Sequence, residues 1–284
     1  MVVQNEYFEY DALLEKERNP MIKAVFFDVD GTLLSHELGM VPESTKKALM
    51  QLRRQGIKIF MATGRHTTEF FDLPLEGLEF DGYIILNGQI CLDQDGEVLD
   101  QRAIHSEDVK KLLWEFEKKE VPVMIIEKDR MYINKVNDRV RTAQQEISTS
   151  IPNIGKYQGD VISQFVIYLG EDEAKELLKS LSHCKMSRWN SYGFDIIPKE
   201  GGKVSGIEKI LEHYGFGREE IMAFGDGEND MEMLKYAGIG VAMGNAEDEV
   251  KQCADYVTTG VSEDGVQKAL CHFHLLESCE EYIL

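Results

Sequence analysis

Short apolar runs alternate with amphipathic segments at both ends of the chain. Strands that are buried on both faces of a parallel sheet read as nearly continuous apolar runs. The N-terminal part has such runs at 22–27, 57–62 and 83–86. Residues 42–55 carry apolar side chains at helical spacing, and Gly56 follows at the position where helices commonly end. This alternation predicts an α/β fold with a doubly wound, Rossmann-like parallel sheet and helices on both faces.

The rhythm changes in the middle of the chain. Residues 89–102 predict two short strands about a turn at Asp95-Gly96, which is an antiparallel hairpin. Parallel alternation returns only after the apolar run 194–198, with a helix over 203–214. We therefore expect an inserted α/β cap domain that contains an antiparallel sheet. The predicted division is an appendage over 1–20, a core over 21–87 and 191–284, and the cap over 88–190.

The charge balance excludes one large class of partners. The chain of 284 residues has 31 Lys and Arg against 51 Asp and Glu, which gives a formal net charge of −20. Nucleic-acid binding needs clustered basic residues, so we expect no nucleic-acid partner. The same balance repels anions at long range, and any phosphate site must therefore be positive locally.

The apolar runs and the cysteines bear on where the protein works. No apolar run reaches the length of a membrane span, and the acidic start of the chain lacks the pattern of a secretory signal. The five cysteines are scattered without paired spacing. Such a set indicates a reducing compartment rather than a disulfide framework. We expect no membrane partner and a cytoplasmic location.

Polar residues with catalytic potential stand at the ends of the predicted strands or open a predicted helix. Ligands of open α/β sheets bind outside the carboxyl ends of the strands. Taken singly, each motif has an ordinary explanation, since Asp-Gly forms turns and a lone lysine usually lies on the surface. The candidates are Asp28, Asp30, Thr63, Gly64, Asn87, Gly88, Lys203, Asp226, Asn229 and Asp230.

Taken together and in order, these motifs resemble the haloacid dehalogenase-like phosphatase superfamily, and most nearly its Cof-type branch. The matching segments are DVDGTLL (28–34), MATGR (61–65), LNG (86–88), GGKVSG (201–206), FGDGENDMEML (224–234) and VAMGNA (241–246). The resemblance covers roughly residues 21–276. It implies a doubly wound core with a large cap inserted between the second and third family motifs, where the rhythm changes. Residues 1–20 depart from the family pattern.

The resemblance also implies catalytic roles. Asp28 is expected to attack phosphorus as the nucleophile, and Asp30 to protonate the leaving oxygen and then deprotonate water. Mg²⁺ is expected on the Asp28 carboxylate, the Asp30 backbone carbonyl and the Asp226 carboxylate, because it prefers hard oxygen ligands. Asp230 is expected to orient a metal-bound water.

Further positions are implied to contact the phosphoryl group or the substrate. The implied phosphate-binding residues are Thr63, Gly64, Lys203 and Asn229. Lys203 opens a helix, so the partial charge of the helix end adds to its own charge. For three more residues a substrate-facing role and a turn role are equally open; these are Arg65, Asn87 and Gly88.

The function implied by the resemblance is a Mg²⁺-dependent phosphatase. Its substrates are expected to be small phosphate monoesters, such as sugar phosphates or phosphorylated cofactors, hydrolysed through an aspartyl-phosphate. A phosphomutase is an alternative, because related mutases share the aspartates and a similar cap. A non-catalytic phosphate-sensing module is another, although a receiver-like module has no need of a cap of this size.

Overall fold

A computed structural model describes residues 21–147 and 149–277, and the predicted appendage 1–20 lies outside them. The strands are β1 (Ala24–Phe27), β2 (Lys58–Ala62), β3 (Gly82–Ile85), β4 (Ile90–Asp93), β5 (Val98–Gln101), β6 (Val123–Glu127), β7 (Met131–Ile133), β8 (Ile162–Tyr168), β9 (Cys184–Arg188), β10 (Gly193–Pro198), β11 (Ile221–Gly225), β12 (Ile239–Ala242) and β13 (Tyr256–Val257). The helices are α1 (Glu43–Arg54), α2 (Ser106–Lys118), α3 (Asp138–Glu146), α4 (Glu171–Lys179), α5 (Lys203–Tyr214), α6 (Met231–Tyr236), α7 (Asp248–Lys251) and α8 (Gly265–His272). Short 3₁₀ turns cover Thr67–Asp72, Leu86–Gly88, Arg218–Glu220, Glu228–Asp230 and Val261–Glu263.

The larger sheet has the strand order β13-β12-β11-β1-β2-β3-β4-β5. Neighbouring strands from β13 to β3 are parallel, and β4 and β5 extend the sheet as an antiparallel hairpin. Strand β1 lies inside the sheet, where Phe26 is in register with Ala223 of β11 and Phe60 of β2. The predicted doubly wound α/β core is confirmed.

Alternate residues of β1 enter two separate apolar cores. Val25 and Phe27 pack with residues of α1 and α8, whereas Ala24 and Phe26 pack with residues of α5 and α6. Because successive strand residues point to opposite faces, helices cover both faces of the sheet. The carboxyl end of β1, where Asp28 follows, is therefore held from both sides.

The smaller sheet is antiparallel throughout, with the order β7-β6-β8-β10-β9. One face packs against α2 and α4. The other face presents Met124, Ile126 and Val166 to a cluster that includes Ile85 and Leu86 of the core. This sheet forms the predicted cap layer and turns one apolar face toward the core.

Strand pairing corrects both predicted boundaries of the cap. The hairpin β4–β5 was expected in the cap but joins the larger sheet, because a hairpin can extend a parallel sheet at its edge. Strand β10 was expected in the core but pairs between β8 and β9. Strand β9 was missed, since CKMSR is mostly polar. By sheet membership the insertion runs from 102 to 198.

The structure bears on the membrane span and on the cysteines. Over the described ranges, no helix is long and apolar enough to cross a membrane. Cys91, Cys184 and Cys253 carry free thiols. Cys271, in contrast, is in a disulfide, which the scattered spacing of the cysteines did not predict.

Candidate active site

A buried lysine joins two carboxylates at the end of β1. Lys203 Nζ donates to Asp28 Oδ1 at 2.5 Å and to Asp230 Oδ1 at 2.6 Å, and all three side chains are buried. Burial raises the pKa of Asp28, and the charge of Lys203 only partly offsets this. Burial lowers the pKa of Lys203, but the charges of Asp230 and Asp28 outweigh it and raise that pKa overall. Lys203 is therefore a fixed positive charge beside Asp28.

Asp230 also fixes the loop that follows β11. Its Oδ2 accepts hydrogen bonds from the backbone N–H of Asp226 at 3.0 Å and of Gly227 at 2.9 Å. The backbone of Gly225 passes so close that an added Cβ would lie 2.4 Å from the Asp230 Cβ. Both Asp230 oxygens are thus occupied, one by Lys203 and one by the loop.

Asp226 faces the loop that follows β1. Its Oδ1 accepts from Thr32 Oγ1 at 3.1 Å, and its Oδ2 accepts from Asn245 Nδ2 at 3.0 Å. Gly31 has φ +84°, and an added Cβ would lie 2.1 Å from Asp226 Oδ2. Burial, followed by the negative charge of Asp230, raises the pKa of Asp226 to about 7.

Three carboxylates meet between these loops. One oxygen each from Asp28, Asp226 and Asp230 lies within 4.8 Å of the others. Carboxylate oxygens are the ligands that Mg²⁺ prefers, and crowded like charges raise one another's pKa unless a cation intervenes. The donor set therefore fits a divalent cation. The Asp30 carboxylate turns away from this cluster, toward Arg65.

Asp30 is held by two basic side chains at the mouth of the site. Arg65 Nε and Nη2 donate to Asp30 Oδ2 and Oδ1, each at 2.6 Å. His36 Nε2 lies 3.2 Å from Asp30 Oδ1. Burial raises the pKa of Asp30, but the hydrogen bonds from Arg65 and His36 outweigh it and lower that pKa to about 2. Asp30 is therefore ionised in this arrangement.

The loop after β2 lies against Asn87. Thr63 is buried, and its Oγ1 accepts from the backbone N–H of Arg65 at 3.1 Å. An added Cβ on Gly64 would lie 3.2 Å from Asn87 Oδ1, so the Asn87 amide lies directly against this glycine. Thr63, Gly64 and Asn229 all line the cavity described next.

A cavity of about 720 Å³ lies between the two sheets. The core side contributes Asp28, Asp30, Arg65 and the loop after β11. The cap side contributes apolar side chains and amides, among them Met124, Ile126, Val166, Gln164 and Trp189. The structure therefore brings most of the predicted core residues together at one end of a cavity that the cap covers. Lys203 does not line this cavity but bonds to Asp28 and Asp230, which do.

A substrate-facing role and a turn role were both open for Arg65, Asn87 and Gly88. Of these three residues, Asn87 and Gly88 do not line the cavity. Asn87 is buried with φ 52° and bonds to Asp195 and Asn229 instead. Gly88 has φ +87°, and an added Cβ would lie 2.1 Å from the Gly202 carbonyl oxygen. Gly88 thus allows the close approach of α5, whereas Arg65 lines the cavity.

Sequence reasoning missed Asp195, which lines the same cavity from β10. Burial raises the pKa of Asp195 to about 7, although hydrogen bonds from Asn87 and Trp189 favour its ionised form. A signal was present, since Asp195 is a single acid within an otherwise apolar strand. His36 also went unnoticed, and nothing in its sequence context marks it.

The fold and the site together are typical of a hydrolase whose acidic centre, with a buried lysine bonded to two carboxylates, lies beneath an inserted cap. Residues 25–270 match the family model for haloacid dehalogenase-like hydrolases, and the chain belongs to that family.

Relatives agree with this assignment. YkrA of Bacillus subtilis (strain 168) is 34% identical, over 90% of this chain and 99% of YkrA. YcsE of the same organism, a 5-amino-6-(5-phospho-D-ribitylamino)uracil phosphatase, is 29% identical over 89% of this chain and 96% of YcsE. The solved structure of the HAD subclass IIB sugar phosphatase BT4131 matches with a TM-score of 0.80 and 38% identity, covering 89% of this chain and 100% of BT4131. The protein is a phosphatase of the Cof type, as its motifs predicted.

Proposed function

We propose that this phosphatase hydrolyses small phosphate monoesters through an aspartyl-phosphate formed on Asp28, with Mg²⁺ as its cofactor. The observation that carries the proposal is the pairing of Asp28, which lines the cavity, with buried Lys203, whose Nζ lies 2.5 Å from Asp28 Oδ1. A carboxylate that attacks a phosphate dianion needs positive charge at the reacting centre. Lys203 is in a position to supply it, in a chain whose net charge of −20 otherwise repels anions.

The acidic cluster supports Mg²⁺ as the cofactor. Asp28 and Asp226 would hold the ion with the backbone carbonyl of Asp30, while Asp230, already bonded to Lys203 and the loop, would orient a water. When bound, the ion would supply positive charge to the reacting phosphate oxygens. Burial, followed by the negative charge of Asp230, raises the pKa of Asp226 to about 7, and a bound cation would favour its ionised form.

The proposed reaction has two steps on Asp28. A carboxylate oxygen of Asp28 attacks phosphorus, the ester P–O bond breaks, and the leaving oxygen takes a proton from Asp30. Asp30 then removes a proton from water, which attacks the phosphoryl group and releases inorganic phosphate from Asp28. Thr63, Gly64 and Asn229 are proposed to hold the phosphoryl oxygens meanwhile.

The ion pair at Asp30 places a condition on the first step. With a pKa of about 2, Asp30 is a base and carries no proton to donate. We therefore expect Arg65 to turn from Asp30 toward the phosphate when substrate binds, since a guanidinium forms equally good paired hydrogen bonds with phosphate. Asp30 can then take up the proton that the leaving oxygen needs.

The proposed substrates are small phosphorylated metabolites. BT4131 is named a sugar phosphatase, and YcsE acts on a phosphorylated ribitylaminouracil. The cavity wall supports substrates of mixed character, because it combines the amide of Gln164 with the apolar surface of Met124, Ile126 and Trp189.

Inorganic phosphate release from a broad panel of phosphorylated metabolites tests the proposal. Each ester is assayed with Mg²⁺, with and without a sugar bisphosphate primer, and Asp28→Asn serves as the matched inactive variant. Release that needs no primer is the expected result. If the Asp28→Asn protein releases phosphate as fast as the wild type, Asp28 is not the nucleophile. Product formation only with the primer would indicate a mutase.

A further inference from the structure

Three buried or half-buried side chains connect the cap to the loop after β11, which carries Asn229. Asp195 Oδ2 of β10 accepts from Asn87 Nδ2 at 2.6 Å, and Asn87 Oδ1 accepts from Asn229 Nδ2 at 3.0 Å. Asp195 is 6% exposed and Asn87 only 1%. These hydrogen bonds run without a break from the smaller sheet to the loop after β11. We refer to Asp195, Asn87 and Asn229 as the amide relay.

The polarity of the relay is set at its cap end. An ionised carboxylate can only accept hydrogen bonds, and Trp189, the other hydrogen-bond partner of Asp195, can only donate. Asn87 must therefore turn its NH₂ group toward Asp195 and its carbonyl oxygen toward Asn229. Asn229 must in turn direct its own NH₂ group to Asn87. One N–H of Asn229 is used in this bond, and the other stays available at the cavity wall.

The middle of the relay is fixed on the loop after β2. The backbone N–H of Asn87 donates to the Thr63 carbonyl at 3.0 Å. Asn87 adopts the left-handed conformation, φ 52° and ψ 40°, which asparagine tolerates better than most residues. Its amide lies against Gly64, where an added Cβ would be only 3.2 Å away. Asn87 therefore has little freedom other than to exchange the positions of its amide oxygen and nitrogen.

We propose that Asp195 is a positioning residue that makes Asn229 present an N–H donor to the transferring phosphoryl group. The carboxylate acts through Asn87 and needs no contact with the substrate to do so. The inference rests on the phosphate-binding role proposed above for Asn229. It assigns the cap a second task, because a residue of its sheet sets the hydrogen-bonding polarity of a core loop.

The first test changes the carboxylate to an amide of the same shape. Asp195→Asn can donate as well as accept. Because Trp189 can only donate, it favours the amide oxygen of the variant, and the new NH₂ group then faces Asn87 and reverses the amides of Asn87 and Asn229. At pH 8, above the Asp195 pKa of about 7, kcat/KM for p-nitrophenyl phosphate is expected to fall about 10-fold or more. The dissociation constant of inorganic phosphate should rise by a similar factor, since a hydrogen bond to a charged group is lost.

An exchange of the two side chains is the decisive variant. Asn87→Asp alone sets two carboxylates against each other and should be the most impaired. The double variant, Asn87→Asp with Asp195→Asn, restores the polarity, because the carboxylate introduced at position 87 would accept from both the new amide and Asn229. It should regain most of the lost kcat/KM and phosphate affinity. Asn137→Asp adds the same charge at the N-cap of α3, where Asp caps as well as Asn, and should leave both quantities unchanged.

Two results would overturn the relay. One is wild-type kcat/KM and phosphate affinity in Asp195→Asn, and the other is a double variant no better than Asn87→Asp. Circular dichroism checks that each variant folds. If one does not, Asp195→Ala is compared in native and Asn229→Ala backgrounds, and its effect should vanish in the second. If the wild-type protein hydrolyses no ester, that result contradicts the proposed function but not the relay. The relay can still be tested by measuring the binding of inorganic phosphate by calorimetry.

Discussion

Arg65 and Asp30 form a paired ion contact across the mouth of the site, with two hydrogen bonds of 2.6 Å from one guanidinium to one carboxylate. The Arg65 side chain is only 11% exposed, so water screens the pair weakly. The fork of a guanidinium matches both carboxylate oxygens, whereas an ammonium contacts them as a point charge. The orientation that Asp30 holds before substrate binds therefore depends on the fork of Arg65 and not only on its positive charge.

Arg65→Lys should keep the charge but lose this orientation. We expect kcat to fall about 10-fold or more on alkyl phosphates, whose leaving oxygen needs the proton from Asp30. The fall should be smaller on p-nitrophenyl phosphate, which has a good leaving group. Arg53→Lys, at the exposed pair with Glu79, is the control and should change neither rate. Equal losses on the two ester types would contradict a role of Arg65 in setting the position of Asp30 before substrate binds.

Lys203→Met should destabilise the protein as well as inactivate it. Removing the ammonium leaves Asp28 and Asp230 buried without their counter-charge, and breaking a buried ion pair in this way typically costs about 3–5 kcal/mol. Urea unfolding measures the loss. Lys209→Met lies on the same helix but removes an exposed pair with Glu212, so no measurable change is expected. A Lys203→Met protein as stable as the Lys209→Met control would show that the buried charges are compensated in another way.

Asp28→Asn should abolish phosphate release while the fold survives. The amide cannot form the acyl-phosphate, and it removes a carboxylate whose ionised form burial already disfavours. Phosphate release and thermal unfolding are measured on protein whose mass excludes deamidation. Unfolding of the variant at room temperature, or turnover near the wild-type rate, would count against this account of Asp28.

Asp226→Asn should shift the Mg²⁺ dependence of activity to higher concentration. The change removes a charged oxygen from the acidic cluster, while Thr32 and Asn245 can still bond to the new side chain. Activity is titrated with Mg²⁺ in both proteins, and Ca²⁺ should fail to replace it because its larger, looser coordination sphere fixes geometry less well. An unchanged Mg²⁺ midpoint would exclude Asp226 as a ligand.

Asp195 should make stability depend on pH in a defined window. The ordinary Asp pKa is 3.8 and the buried one about 7, so between these values the folded state binds more protons than the unfolded state. Unfolding free energy must then fall as pH rises through this window, by up to about 1.4 kcal/mol per pH unit. Asp195→Asn lacks this dependence. Its stability relative to wild type should rise from pH 4 to 7, and a constant difference would refute the raised pKa.

The motifs in the sequence predicted the core of the site because each motif loop follows a buried strand. Asp28 after β1, Thr63 after β2 and Asp226 after β11 meet at one edge, since parallel strands bring their carboxyl ends together. The ion pair of Arg65 with Asp30 and the amide relay could not be predicted in this way. They depend on side-chain direction and, for Asp195, on where a strand 108 residues away from Asn87 is paired.

The same limit explains the misplaced boundaries of the cap. A hairpin indicates antiparallel pairing but does not indicate which sheet it joins, and β4 meets β3 through long-range packing. The run 194–198 is apolar enough for either sheet. Local pattern therefore identified most strands correctly but assigned three of them, β4, β5 and β10, to the wrong sheet.

The β4–β5 hairpin, which the sequence pattern assigned to the cap, forms one edge of the larger sheet. An unpaired edge of a wide sheet is a template for strand addition by another molecule. Here one outer strand, β13, has only two residues, and the other, β5, is short, half-exposed and carries Asp100. Neither edge offers a long, flat, apolar row of free backbone groups. The β4–β5 hairpin therefore protects the larger sheet against edge-to-edge aggregation.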